Sequence, residues 1–82
     1  MPKNIIGPRV REARRRAKPR VTQADLAARL LTRGINITRV AVSKIENGER
    51  HVTDIELLAI AKALAVTPAW LLQENDPSKD GL

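Results

Sequence analysis

The sequence predicts an all-α fold, a compact bundle of five short helices. Three observations carry this expectation. Apolar residues recur at helical spacing in five segments. Four of those segments open on a threonine placed to cap a helix: Thr22, Thr38, Thr53 and Thr67. Aromatic residues are almost absent, with Trp70 and no Phe or Tyr, which disfavours a sandwich or barrel.

The first helix starts near Gly7-Pro8, where proline suits the opening turn, and runs to about Ala17 before Pro19 stops it. Val10, Ala13 and Ala17 mark its inner face, while Arg9, Arg11, Arg14, Arg15 and Arg16 cover most of the rest. The second opens with Thr22-Gln23-Ala24-Asp25, a capping-box-like start. It carries Leu26, Ala27, Leu30 and Leu31 as an apolar stripe and exits at Gly34. Ile35-Asn36-Ile37 connects it to a third helix, Arg39 to Asn47, capped by Thr38 and closed by Gly48. Val42 and Ile45 are its inward residues. Thr53-Asp54-Ile55-Glu56 is a second capping box and opens the fourth and most apolar helix, with Leu57, Leu58, Ile60, Ala61 and Leu64. Thr67-Pro68 begins a short fifth helix bearing Trp70, Leu71 and Leu72.

This pattern divides the chain into an N-terminal arm (residues 1–5), one domain (6–72) and a flexible polar tail (73–82). A chain of 82 residues buries only about 60% of its unfolded surface, so the core is thin. With no cysteine, disulfides and thiolate metal sites are excluded, and aliphatic side chains must supply that core. No apolar run approaches the roughly 20 residues needed to cross a membrane. The opening MPKNIIGPRV lacks the apolar stretch of a signal peptide, so a cytoplasmic location is expected.

Charge is unevenly spread. Residues 1–20 hold eight Lys or Arg against Glu12 alone, whereas residues 51–82 hold two against five acids, within a net charge of +6. A basic front suggests a polyanion, although a solvated charged helix face explains it equally well.

The third helix is the informative element. Two helices joined by a short connection, the second short and polar outside, form a helix-turn-helix. If Val42 and Ile45 face the core, Arg39, Val40, Ser43 and Lys44 lie largely opposite. Arg and Lys can donate to guanine O6 and N7, Ser can bond either way, and Val can meet a thymine methyl. An ordinary amphipathic helix with a solvated face is the plainer alternative.

Three stretches then resemble a known family: TQADLAARL, VSKIENGER, and LLAIAKALAV followed by PAWLL. Their order, spacing and caps are similar to the Cro/C1-type (XRE-like) helix-turn-helix proteins over roughly Ile6 to Leu72. The resemblance implies a lambda-repressor-like domain, of bacterial or phage origin, that binds double-stranded DNA. It places Thr38, Arg39, Val40, Ser43 and Lys44 at base-reading positions, and Thr22, Gln23 and Asn47 at phosphates, with Gln23 also bracing the third helix. Arg50, just beyond that helix, is a further phosphate candidate. Glu46 matches an acidic position that pairs with an arginine late in the first helix, which would here be Arg16. The stretch from Leu31 to Ile37 exceeds that of the compact repressors by about one helical turn, so a longer second helix is expected.

Other chemistry finds little support. His51 is a lone imidazole, so no metal site is expected. Ser43, His51 and Asp54 lack the surroundings of a catalytic triad, and no phosphate loop is present. Neither catalysis nor a cofactor is expected. The leading expectation is a sequence-specific transcriptional regulator, most simply a repressor, paired as a homodimer through Trp70 and Leu71 of the fifth helix. The alternatives are a protein-interaction module such as an antitoxin or adaptor, using the surface around Val66, Trp70 and Leu71, and a non-specific nucleic-acid binder.

Overall fold

A computed structural model describes residues 1–73. Five helices follow in order: α1 (Gly7–Arg16), α2 (Gln23–Thr32), α3 (Arg39–Glu46), α4 (Asp54–Ala63) and α5 (Pro68–Leu71). The described residues contain no strand. The polar tail expected from residue 73 lies, beyond Gln73, outside the described residues.

Each start is explained by local chemistry. The hydroxyls of Thr22, Thr38, Thr53 and Thr67 each accept a hydrogen bond from the free backbone N–H three residues on. Asp25 and Glu56 return the bond to the N-cap amide, so α2 and α4 carry complete capping boxes. Three ends share one geometry. The helices α2, α3 and α4 close in Schellman motifs, with the residue at C′ in the left-handed region. For α3, Gly48 N–H donates to the Ile45 carbonyl and Glu49 N–H to that of Lys44. For α4 the C′ residue is Ala65, at φ 57°, without a glycine's freedom.

The core is aliphatic. Val10, Val21, Leu26, Leu30, Val42, Ile45, Ile60 and Leu71 are its largest fully buried side chains. Packing is pairwise: α3 lies on α1 and α2, α2 on α4, and α5 on α4 and α1. Two residues expected on inner faces are exposed. Leu31 is five positions from Leu26, about 140° away around the helix, and leaves the α2 stripe for solvent. Leu58 is also exposed, and α4 meets the core through Ala59, Ile60, Ala61, Ala63 and Leu64 instead.

The added length between α2 and α3 does not extend α2. It forms a connection from Arg33 to Thr38, anchored by buried Ile37 and half-buried Ile35. Gly34 takes a positive φ there, and Ile35 N–H donates to the Leu30 carbonyl, which stops the helix.

Candidate nucleic-acid interface

The orientation of α3 decides what its side chains can reach. Val42 and Ile45 are each 1% exposed, locked between α1 and α2. Arg39, Val40 and Lys44 are consequently in solvent, with Val40 55% exposed, and Ser43 is half-buried. Thr38 is exposed at the helix start. Its oxygen accepts from Ala41 N–H at 3.2 Å, which leaves its own proton free to donate. Four of the five residues expected to read bases therefore belong to α3, on the side opposite its core residues, and the fifth, Thr38, is its N-cap.

A shallow basic recess adjoins that element. It is lined by Arg14, Arg15, Arg20, Thr22, Gln23, Ala24 and Arg39. It lies at the N-terminus of α2, where unpaired backbone N–H groups and the helix dipole favour an anion. The Asp25 carboxylate of the capping box accepts the Thr22 N–H at 3.0 Å. That bond holds its pKa below the usual carboxylate value.

Behind the interface lies a buried ionic network. The Glu46 side chain is fully buried and accepts from four donors on three residues. Arg14 binds it in bidentate fashion through Nε and Nη2, the latter at 2.7 Å, and donates from Nη1 to the Val21 carbonyl at 3.1 Å. Gln23 Nε2 donates at 3.1 Å and Arg11 Nε at 3.3 Å. Burial pushes the Glu46 carboxyl up. The bonds from Arg14 and Gln23, with the charge of Arg14, outweigh it and hold the group below the usual glutamate range. Arg14 is in turn raised, chiefly by its bond to Glu46.

This network corrects the expected partner of Glu46, which is Arg14 and not Arg16. Gly7, Val10 and Arg14 form the buried stripe of α1. Arg16 lies two residues further, roughly 200° around the helix. It is 70% exposed and pairs with Glu12 at 3.0 Å.

The residues expected at phosphates divide. Thr22 caps α2 beside the basic recess. Gln23 commits an amide proton to Glu46, and so couples α2 to α3. Asn47 is exposed beyond α3, where its Oδ1 accepts from Arg11 Nη2 at 2.9 Å. Arg50 is engaged elsewhere. Its two terminal nitrogens grip Glu56 at 3.1 Å each, joining the α3–α4 connection to the first turn of α4. Those bonds hold Glu56 below its ordinary pKa, and Arg50 is not a free cation.

The fifth helix also departs from expectation. Leu71 has no exposed surface and belongs to the core, so it cannot pair two copies. Trp70 is half-buried, with the Arg9 guanidinium 4.9 Å from its ring centroid. His51 is exposed. Among the described residues, no group of three or more His, Cys, Asp or Glu is placed to hold a metal ion. No helix of the described residues is long and apolar enough to cross a membrane.

Arg11, Arg14, Arg15 and Arg20 are the site residues that residue patterns did not single out. For Arg14 the signal was present, because it stands four positions after the core residue Val10. Arg15 and Arg20 meet Thr22 and Arg39 through the turn between α1 and α2, which no helical spacing encodes.

The helix-turn-helix family model matches residues 10–71. The chain belongs to the Cro/C1-type helix-turn-helix family. Within this helix-turn-helix family, the chain is 37% identical over 71 residues to the HTH-type transcriptional regulator DicA of Escherichia coli (strain K12). That alignment covers 85% of this chain and 47% of DicA, so the chain spans about half the length of this curated relative. Two solved helix-turn-helix structures are also similar. The P22 c2 repressor protein, in complex with synthetic operator 9T, matches with a TM-score of 0.68 and 32% identity, over 88% of this chain and 98% of that one. The restriction-modification controller protein C.AhdI from Aeromonas hydrophila matches with a TM-score of 0.66 and 32% identity, over 80% and 86%.

Proposed function

We propose that this protein binds double-stranded DNA in the cytoplasm and regulates transcription, most simply as a repressor, with α3 in the major groove. One observation carries the reading. Burial of Val42 and Ile45 turns Arg39, Val40, Ser43 and Lys44 outward beside a basic recess at the start of α2. A phosphate in that recess would meet Arg15, Arg20 and the free N–H groups of α2. The α3 side chains would then lie at base edges. Thr38 and Asn47 extend the contact at the two ends of α3. The similarity to DicA, the P22 c2 repressor and C.AhdI supports a regulatory role.

A homodimer is part of the proposal, with half-sites about 10 base pairs apart, one turn of DNA. Since Leu71 is buried, exposed Leu72 is the residue at the end of α5 free to meet a second copy. A protein partner, as for an antitoxin or adaptor, is the second reading. Ile55 and Leu58 of α4 favour it, being 68% and 47% exposed.

Selection of bound duplexes from a random pool at moderate salt tests the proposal. An enriched palindrome is expected. Recovery of unrelated sequences, with affinity set by salt alone, would defeat it.

A further inference from the structure

The third helix has only eight residues, about two turns, and a helix so short is not stable by itself. Its last carbonyls need partners from outside the helix. The Schellman turn supplies some, through Gly48 N–H and Glu49 N–H. The N-terminal arm adds a second donor at Ile45 and holds the connection that follows α3. Asn4 Nδ2 donates to the Ile45 carbonyl at 3.0 Å and to the Arg50 carbonyl at 2.8 Å. Asn4 Oδ1 accepts from Gly7 N–H at 2.9 Å. Lys3 N–H donates to the Gly48 carbonyl at 2.8 Å. One amide thus ties the first N–H of α1, the end of α3 and the α3–α4 connection together.

The first turn of α1 sits directly on the same place. A Cβ on Gly7 would lie 2.5 Å from the Ile45 carbonyl oxygen and 2.7 Å from that of Glu46. Only glycine permits this approach. The arm and the start of α1 therefore grip the last turn of α3 from one side. Lys44 and Asn47 project from that turn into solvent.

We propose that residues 2–7 are a strap that sets the pose of α3, with Asn4 as a positioning residue for base reading. The proposal rests on the DNA-reading function above. Both amide protons of Asn4 are committed to carbonyls, so Asn4 does not itself meet DNA. It acts through Lys44 and Asn47. Without it, the C-terminal turn of α3 can shift relative to Arg39 at the other end. Contacts that need both ends in register then weaken, while attraction to phosphates persists. Few other side chains can substitute. Aspartate would face two carbonyl oxygens with an acceptor, and serine offers one donor where asparagine offers two.

The test compares the full chain with Asn4→Ala and Asn4→Ser, using the selected duplex, a scrambled duplex and amide hydrogen exchange. Loss of the two bonds from Asn4 to the Ile45 and Arg50 carbonyls predicts about tenfold weaker binding to the selected duplex. The scrambled duplex should lose less than about threefold, and the salt slope should not change, because no phosphate contact is removed. The amides of Asn47, Gly48 and Glu49 should exchange about tenfold faster, with those of α4 unaltered. An unaltered preference for the selected duplex in a folded variant overturns the proposal. So does faster exchange spread evenly over every helix, which marks a general stabiliser. If Asn4→Ala does not fold, Asn4→Ser decides by the same readouts, since it retains an acceptor for Gly7 N–H. If the natural protein selects no duplex, the DNA-reading function fails. The exchange pattern at residues 47–49 then still decides whether the strap exists.

Discussion

Arg14 and Glu46 form a bidentate, buried ion pair that fastens the middle of α1 to the last turn of α3. Glu46 also receives Gln23 from α2, so three helices converge on one carboxylate. The pair lies behind the exposed side chains of α3 and fixes where that helix sits.

Arg14→Ala should lower unfolding free energy by about 3–5 kcal/mol, because it leaves a buried carboxylate short of its main counter-charge. Arg16→Ala removes only an exposed pair and should change stability by less than about 1 kcal/mol. Urea denaturation of both variants checks the assignment. Equal losses would return Glu46 to Arg16.

The same carboxylate predicts an acid limb to stability. Glu46 and Glu56 are both held below their ordinary pKa in the folded state. Their contribution is therefore fully present above the unfolded glutamate value of about 4.3 and is lost as pH falls through the folded values. Stability should hold steady from neutral pH down to about pH 5 and fall steeply below about pH 4. In Glu46→Gln the slope of that fall should be shallower. Thermal melts across this range provide the measurement, and an unchanged slope would show that Glu46 is not responsible.

Gly7→Ala should destabilise by about 2 kcal/mol or more through overpacking, although alanine favours helices. The added methyl would strike the backbone oxygens of Ile45 and Glu46, which cannot swing aside as a side chain does. A melting temperature equal to that of the natural protein would contradict the close approach.

Ala65→Gly should act in the opposite sense. Ala65 is exposed and held at φ 57°, where a side chain costs roughly 1–2 kcal/mol. Glycine's freedom in the unfolded chain returns about 0.4–1 kcal/mol of that. A net gain of about 0.5–1 kcal/mol is expected from the two terms. A lower melting temperature would argue against strain at this position.

Arg39→Ala and Lys44→Ala should each weaken binding to the selected duplex by about 1–3 kcal/mol and blur its sequence preference. Arg50→Ala should leave both preference and salt slope largely intact, because its guanidinium is occupied by Glu56. Gel-shift titrations on selected and scrambled duplexes at several salt concentrations separate these effects. Equal losses on both duplexes for Arg39→Ala would place that side chain at phosphate.

Much of the fold was legible because helix caps are local. A threonine followed three residues later by an acid announces a helix start without any knowledge of the tertiary structure, and Thr22 and Thr53 behave accordingly. The outward face of α3 followed from the positions of Val42 and Ile45 alone. Long-range pairing was harder. Arg14 and Arg16 are chemically identical, and only the phase set by Val10 separates them. Arg50 and Glu56 meet across an irregular connection whose path no periodicity describes. The end of α4 carries alanine where the geometry favours glycine, so its Schellman turn had no sequence signal. Asn4 finds its partners 41 and 46 residues away, in a segment that reads as an unremarkable arm.

The position of Trp70 bears on how unfolding of this protein is observed. It is the chain's only tryptophan, and no tyrosine or phenylalanine accompanies it. Its ring rests beneath Arg9 where α1 meets α5. Intrinsic fluorescence therefore reports the opening of that single seam, whereas circular dichroism registers all five helices. Coincident transitions from the two signals would mean that the seam and the remaining helices melt as one cooperative unit.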